Sequence, residues 1–123
     1  MDNNHDFEKL EIPLISKLKD AYGEAHKFLS LIPKFEKYTL GEKIENSILE
    51  AVELVIIANG ANKYEKEKYL LKVNAKIELL KLLYRFSFDC NLIEERKYLE
   101  IQINIREMGK MTQGWIKYSR NLK

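Results

Sequence analysis

Residues 63–88 carry the pattern that most limits the folds open to this chain. Large apolar residues recur there at three- and four-residue steps, which is the period of an amphipathic α-helix. They form two lines: a first seam of Leu70, Val73, Ile77, Leu80, Tyr84 and Phe88, and a second seam of Leu71, Ala75, Leu79, Leu82 and Phe86. At about 100° per residue the two seams lie nearly opposite each other. The stretch therefore predicts one helix, roughly 40 Å long, with two apolar faces.

Two more helices are predicted before this one. The first runs from about Ile12 to Ile32, with Pro13 in its first turn, where the missing N–H is tolerated. The second begins at "TLGE", where Thr39 and Glu42 have the spacing of a capping box, and it ends at the "NG" of residues 59–60.

A fourth helix is predicted from about Glu94 to Tyr118. Its apolar residues step 3-4-3-4-3, a heptad seam of Tyr98, Ile101, Ile105, Met108, Thr112 and Trp115. Only two prolines and five glycines interrupt the chain, which favours long helices. The prediction is an all-α, up-down-up-down antiparallel four-helix bundle. Residues 1–123 form a single domain in this interpretation, with a frayed N-terminus at 1–11 and a basic tail at 119–123.

The second seam predicts self-association, because a helix in a four-helix monomer needs only one buried stripe. Leaving four or five large apolar side chains in water would favour non-specific association. The predicted interface consists of the second seam together with Leu49 and Ile56 of the second helix. Like Val52, these two residues lie away from the main apolar stripe of that helix. The alternative is that the second seam packs against the first or fourth helix within one monomer.

Charge is unevenly distributed along the chain. The formal net charge is +2, but residues 1–61 carry −4 and residues 62–123 carry +6. Such asymmetry points to an anionic partner, although the solvated surface of a bundle is often lopsided as well. The candidate residues for binding nucleic acid or a protein partner are Lys81, Arg85, Arg106, Lys110, Lys117 and Arg120. Lys81 and Arg85 lie one turn apart, a spacing that suits phosphate or carboxylate.

No residue pattern indicates catalysis, a metal or a cofactor. His5 and His26 do not have metal-ligand spacing, and no Glu-x-x-His pair supplies a di-iron site. Cys90 has no nearby histidine and is expected to be a buried, inert thiol. Since no secretory signal or apolar run of membrane-spanning length is evident, a cytoplasmic location without membrane contact is expected.

The segment "MGKMTQGWIKYSRNLK" at 108–123 combines the one tryptophan with four cations and no acid. Trp115 continues the heptad seam, so its ring is expected to pack in the core with its indole N–H at the rim. Gly109 and Gly114 each cost about 1 kcal/mol relative to alanine in a helix. Close approach of a neighbouring helix or subunit is the expected reason for them.

Three segments, "PKFEKYTLGEKI", "KIELLKLLYRFSFDCNLI" and "REMGKMTQGWIK", resemble the accessory variability determinant (Avd) family of diversity-generating retroelements. The Gly-Trp-Ile ending is the most specific part. The resemblance covers helices 2 to 4, and helix 1 only by pattern. It implies a homopentameric barrel with a basic surface and no enzyme activity. It also implies binding to the retroelement's reverse transcriptase and to nucleic acid, with Lys81 and Arg85 at the family's basic positions for the transcriptase.

Two alternatives remain open at this point. One is a relative of the four-helix proteins encoded in intervening sequences of 23S ribosomal RNA genes, which share the "TLG" entry to helix 2. The other is a purely structural interaction module that acts through its apolar seams. No exposed aromatic platform is evident in the sequence, so any contact with RNA or DNA is expected to be electrostatic and weakly sequence-specific.

Overall fold

The computed structural model describes the backbone of residues 2–121 and the side chains of residues 13–121. Within this part of the chain there are four long helices and no strand. The helices are α1 (Asp2–Leu29), α2 (Glu42–Gly60), α3 (Lys63–Asp89) and α4 (Glu95–Arg120). One helical turn, Lys34–Glu36, and a π-helical turn, Lys37–Gly41, lead into α2. The all-α class predicted from the apolar periodicity is confirmed.

Each helix packs against its sequence neighbours, and α1 packs against α4 to close the bundle. Cross-helix ion pairs give the directions. Lys17 near the middle of α1 pairs with Glu107 of α4 at 2.6 Å, whereas Glu24, one turn before the end of α1, pairs with Lys97 in the first turn of α4 at 3.1 Å. These two pairs require α1 and α4 to run antiparallel.

The core contains one stripe from each helix. The first seam of α3 is buried from Leu70 to Tyr84, and the heptad seam of α4 is buried from Ile101 to Trp115. The α1 residue Phe28 meets Tyr84 across the core, with ring centroids 5.7 Å apart. Burial of each such side chain contributes roughly 1.5–3 kcal/mol to folding.

The boundaries of the first two helices differ from the prediction. Helix α1 begins at Asp2, so Pro13 lies inside the helix rather than in its first turn. The side chains of residues 1–11 lie outside the described residues, as do residues 122–123 of the predicted tail.

The predicted capping box at Thr39 does not form. Thr39 lies inside the π-helical turn and its hydroxyl donates to the Glu36 carbonyl at 3.4 Å, while the described structure shows no side-chain cap on α2. The capping-box prediction is wrong because the backbone is already helical from Lys34, before Thr39 and Glu42.

Lys66 holds the connection between α2 and α3. Its side chain is buried, and Nζ donates to the Ala58 carbonyl at 2.8 Å and the Asn59 carbonyl at 3.2 Å. These carbonyls belong to the last turn of α2, where a cation is favoured by the helix dipole. Asn62 caps α3 through hydrogen bonds from the N–H groups of Tyr64 and Glu65 to Oδ1.

Candidate nucleic-acid and partner interface

A shallow groove between α3 and α4 brings together three of the six predicted basic residues. Lys81 comes from α3, and Arg106 and Lys110 come from successive turns of α4. The groove has a volume of about 350 Å³. Two cross-helix hydrogen bonds fix its walls: Gln113 Nε2 donates to Asn74 Oδ1 at 3.1 Å, and Gln102 Nε2 donates to the Lys81 carbonyl at 3.2 Å. We call this the basic groove.

The cations of the basic groove have no ion-pair partner among residues 13–121. Glu107, one turn before Lys110, is engaged by Lys17, whose hydrogen bond is the main reason that the pKa of Glu107 lies below its ordinary value. Glu78 is the one carboxylate lining the groove. The groove therefore presents an excess of positive charge that is free to meet an anion.

Arg85 lies next to the basic groove but is partly neutralised. Its Nε donates to Asp89 Oδ1 at 3.1 Å, one turn further along α3. This hydrogen bond raises the pKa of Arg85, and Tyr98 contributes to the same shift. Lys81 and Arg85 both border a second groove of about 550 Å³, whose apolar floor belongs to the second seam.

The two remaining basic candidates lie further along α4. Arg120 donates to Glu67 of α3 at 2.7 Å, and this hydrogen bond raises the pKa of Arg120. Lys117 is exposed and unpaired within the described side chains. By helical spacing Lys117 continues the line of Arg106 and Lys110 along α4, roughly 16 Å from the first of them. The structure thus gathers three candidates and leaves Arg85, Lys117 and Arg120 around them.

The second seam of α3 is largely open to solvent in a single chain. Five of the seven predicted interface side chains are large and between 45% and 58% exposed: Leu49, Ile56, Leu71, Leu82 and Phe86. Ala75 is exposed too, and Leu79 is half-buried against the core. The alternative that this seam packs inside the monomer is therefore wrong for most of its length.

Several exposed residues were missed by the sequence analysis. Leu99 and Ile103 form an open apolar pair on α4, one turn apart. The expectation that no exposed aromatic platform exists is wrong, because Tyr64 is 84% exposed, and Phe35 and Tyr38 lie open between α1 and α2. The alternation of lysine and aromatic residues in "KFEKY" was the available signal.

Two expectations about the end of α3 and about α4 are also wrong. Cys90 is exposed, because it follows the last residue of α3 and lies in the turn before Asn91, whose φ is +60°. The ring of Trp115 is in the core as predicted, but its indole N–H is buried and has no hydrogen-bond partner within the described part of the chain.

The glycines of α4 are not explained by packing within one chain. Among the described residues, no atom of a neighbouring helix lies within 4 Å of a Cβ built at Gly109 or Gly114. Gly109 lines the basic groove, where a missing side chain keeps the groove open. The approach of another subunit remains a prediction.

Residues 13–121 contain no cluster of histidine, cysteine, aspartate and glutamate that could hold a metal ion. His26 is exposed and lies 3.8 Å from Glu45, and His5 lies outside the described side chains. Within residues 2–121, no helix is both long and apolar enough to span a bilayer.

Comparison with known families places these features in context. A family model described as bAvd-like matches residues 14–119, which includes all of the basic groove and the second seam. Comparisons with curated proteins and with solved structures found no significant match.

Proposed function

The chain belongs to the bAvd-like family, and from this premise we propose that it is a non-enzymatic accessory protein of a diversity-generating retroelement. Membership of the family suggests such an accessory role. We further propose that the chain binds the element's reverse transcriptase and its template RNA or cDNA through the basic groove, and so supports mutagenic copying.

The observation that carries this proposal is the convergence of Lys81, Arg106 and Lys110 without pairing acids in the described part of the chain. Unpaired cations on a rigid scaffold attract phosphate or carboxylate, and bound phosphate releases counterions. Cations of this kind contact phosphates in a sequence-independent way, so nucleic acid would be held by its backbone. Arg85, Lys117 and Arg120 extend the positive surface, and Arg85 and Arg120 would exchange an intramolecular carboxylate for a partner's anion.

The second seam supports the proposal of a homo-oligomer. Leu71, Leu82 and Phe86 expose apolar surface along one face of α3, and Leu49 and Ile56 of α2 do the same. A row of exposed apolar side chains along one helix face is typical of an interaction site. In the pentameric barrel implied by the family resemblance, the seam would lie between subunits and the basic grooves would repeat around the assembly.

A pair of matched double variants tests the role of the basic groove. Lys81→Ala with Lys110→Ala removes two cations from the groove, and Lys19→Ala with Lys43→Ala removes two exposed lysines elsewhere. We expect the groove variant to weaken capture of the transcriptase roughly tenfold, because exposed ion pairs contribute up to about 1 kcal/mol each. We also expect the slope of log affinity for single-stranded RNA against log salt to fall by about 1.4, or about 0.7 for each lost contact.

The control variant should change neither measurement. Equal transcriptase capture and an equal salt slope for the two double variants would show that the groove is not the binding site.

The second candidate function is a structural module that acts only through apolar contacts, and the exposed second seam is the observation that favours it. Its binding would depend little on salt, since apolar burial releases no counterions. Capture of the transcriptase that is insensitive to salt and is lost in Leu82→Glu, at an exposed position of the seam, would support this module over the electrostatic adaptor.

A further inference from the structure

Among the side chains of residues 13–121, the most exposed large apolar ones apart from Tyr64 lie in the connection between α1 and α2. Leu31, Phe35 and Tyr38 are 83%, 70% and 68% exposed. All three are more exposed than Leu71, Leu82 and Phe86, the large exposed residues of the second seam. We call these three residues, with Lys34 and Lys37 between them, the end platform.

Buried residues on both sides of the end platform anchor it to the core. Phe35 lies in the helical turn Lys34–Glu36, and Tyr38 lies in the π-helical turn that follows. Ile32, between Leu31 and Pro33, is buried in the core. Gly41 closes the π turn directly against the buried Leu29, so that a Cβ at Gly41 would overlap the leucine side chain. The exposed rings therefore project from an anchored support, and π-helical turns of this kind are frequent at functional sites.

Charge distinguishes the end platform from an apolar protein contact. Lys34 and Lys37 are exposed and have no ion pair with any described side chain. Glu36 is the only acid between them and is half-buried. The platform is thus a local excess of positive charge in the acidic half of the chain, interleaved with two aromatic faces.

Aromatic rings and unpaired lysines at this spacing match one class of ligand. Unpaired bases stack on exposed aromatic rings in a sequence-tolerant way, and neighbouring cations hold the phosphates. Phe35 and Tyr38 lie three residues apart in two adjoining helical turns, so one short segment carries both exposed rings. In a duplex the bases already stack on each other and their faces are not accessible. A two-fold contact with a second copy of this chain fits less well, because it would oppose two pairs of lysines.

We propose that the end platform binds an unpaired stretch of RNA or DNA, with bases stacked on Phe35 and Tyr38 and phosphates at Lys34 and Lys37. This inference deepens the proposed function and depends on it for the class of partner. It assigns single-strand recognition to the α1–α2 connection, a surface separate from the basic groove between α3 and α4.

The test measures binding of a labelled oligo-uridine, single-stranded or annealed to its complement, by fluorescence anisotropy over a series of salt concentrations. Phe35→Ala with Tyr38→Ala should weaken single-strand binding at least about fivefold for each ring lost. Its salt slope should stay unchanged, since stacking releases no counterions. Duplex binding should also be unchanged. The variant Phe35→Trp with Tyr38→Trp, which keeps an aromatic ring at both positions, should bind the single strand with wild-type affinity.

Lys34→Ala with Lys37→Ala should act differently. It should lower the salt slope for the single strand by about 1.4, because two phosphate contacts are lost. The aromatic control is Tyr22→Ala, which removes an exposed tyrosine of α1 that belongs to neither proposed binding surface. Its loss should leave single-strand affinity unchanged.

Three outcomes for the Phe35→Ala, Tyr38→Ala variant would overturn the proposal that the end platform binds single strands. They are wild-type affinity, an equal loss of affinity for duplex and single strand, and a loss of affinity that accompanies a change in oligomeric mass. A wild-type chain that captures the transcriptase but binds no single strand would also overturn it while leaving the proposed function intact. A wild-type chain that binds neither transcriptase nor nucleic acid would contradict the proposed function itself.

Discussion

The two seams of α3 have similar side chains but very different surroundings. In the first seam Leu70, Ile77 and Leu80 are at most 2% exposed, whereas Leu71 and Leu82 of the second seam are 45% and 48% exposed. Helical spacing even places the charged Lys66 at the start of the buried line, one turn before Leu70. Hydrophobicity alone therefore does not decide which face of a helix forms the core. The neighbouring helices decide it, and the remaining apolar face is available for another molecule.

The largest expected difference between the seams is in folding stability. Leu80→Ala should lower the free energy of unfolding by about 2–5 kcal/mol, because it leaves a cavity among fully packed neighbours. Leu82→Ala, on the same helix, removes the same atoms from a half-exposed position. At a concentration where the chain is dissociated, its effect should stay below about 1 kcal/mol. Urea denaturation followed by circular dichroism compares the two, and equal losses would mean that the second seam is also core.

The second largest effect on stability is expected at Lys66, the buried cation one turn before Leu70. Lys66→Met keeps the length and apolar stem of the side chain but removes the hydrogen bonds to the last carbonyls of α2. Hydrogen bonds from charged groups contribute about 1.5–3 kcal/mol, so a loss of that order is expected on denaturation. Lys68→Met, at an exposed position two residues away, should change stability by less than about 0.5 kcal/mol.

Leu82→Glu tests whether the second seam joins copies of the chain. A carboxylate at this position is solvated in the single chain but would be buried between copies, so light scattering should show the mass of a monomer. The stability of the monomer should change by about 0.5 kcal/mol or less. Leu99→Glu is the matched control, because Leu99 is 52% exposed on α4 and outside the predicted interface. If both variants keep the wild-type mass, the second seam is not the interface.

The smallest effect is expected at the edge of the second seam, where Lys76 of α3 pairs with Glu50 of α2. The hydrogen bond from Lys76 is the main reason that the pKa of Glu50 is below its ordinary value of 4.5. A carboxyl group whose pKa is lower in the folded chain than in the unfolded chain stabilises the fold at pH values above its unfolded pKa. This stabilisation is lost as the pH falls through the folded pKa. Glu50→Gln should thus reduce stability at neutral pH by about 0.5 kcal/mol, with the difference vanishing in acid. Glu53→Gln removes a carboxylate of the same groove that has no ion pair among the described side chains, and should leave stability at neutral pH unchanged.

Much of the fold could be predicted because apolar periodicity reports directly on burial. The two seams of α3, and the heptad seam of α4 through Ile101, Ile105 and Met108, agree with the structure. Local signals were less reliable. Thr39 and Glu42 have the spacing of a cap, but a continuous helical backbone occupies that position. A capping pattern shows what a helix start can use and does not establish where the helix starts.

The candidate site was predicted as a set of residue types and not as an arrangement. Lys81, Arg106 and Lys110 converge only because α3 and α4 are antiparallel neighbours in a particular register, which single-helix periodicity does not contain. The pairing of Arg120 with Glu67 is hidden for the same reason. The pairing of Arg85 with Asp89 follows the ordinary i, i+4 spacing and could have been recognised in the sequence.

The burial of Trp115 gives this molecule an internal optical reporter. It is the one tryptophan in the chain and is 1% exposed, whereas Phe35 and Tyr38, the aromatic residues proposed to meet a ligand, lie at the surface. Its fluorescence emission therefore reports the entry of water into the core and does not respond to ligand binding at the surface. An experimenter can excite the indole selectively and watch unfolding, while anisotropy from a dye on the oligonucleotide records ligand capture in the same cuvette.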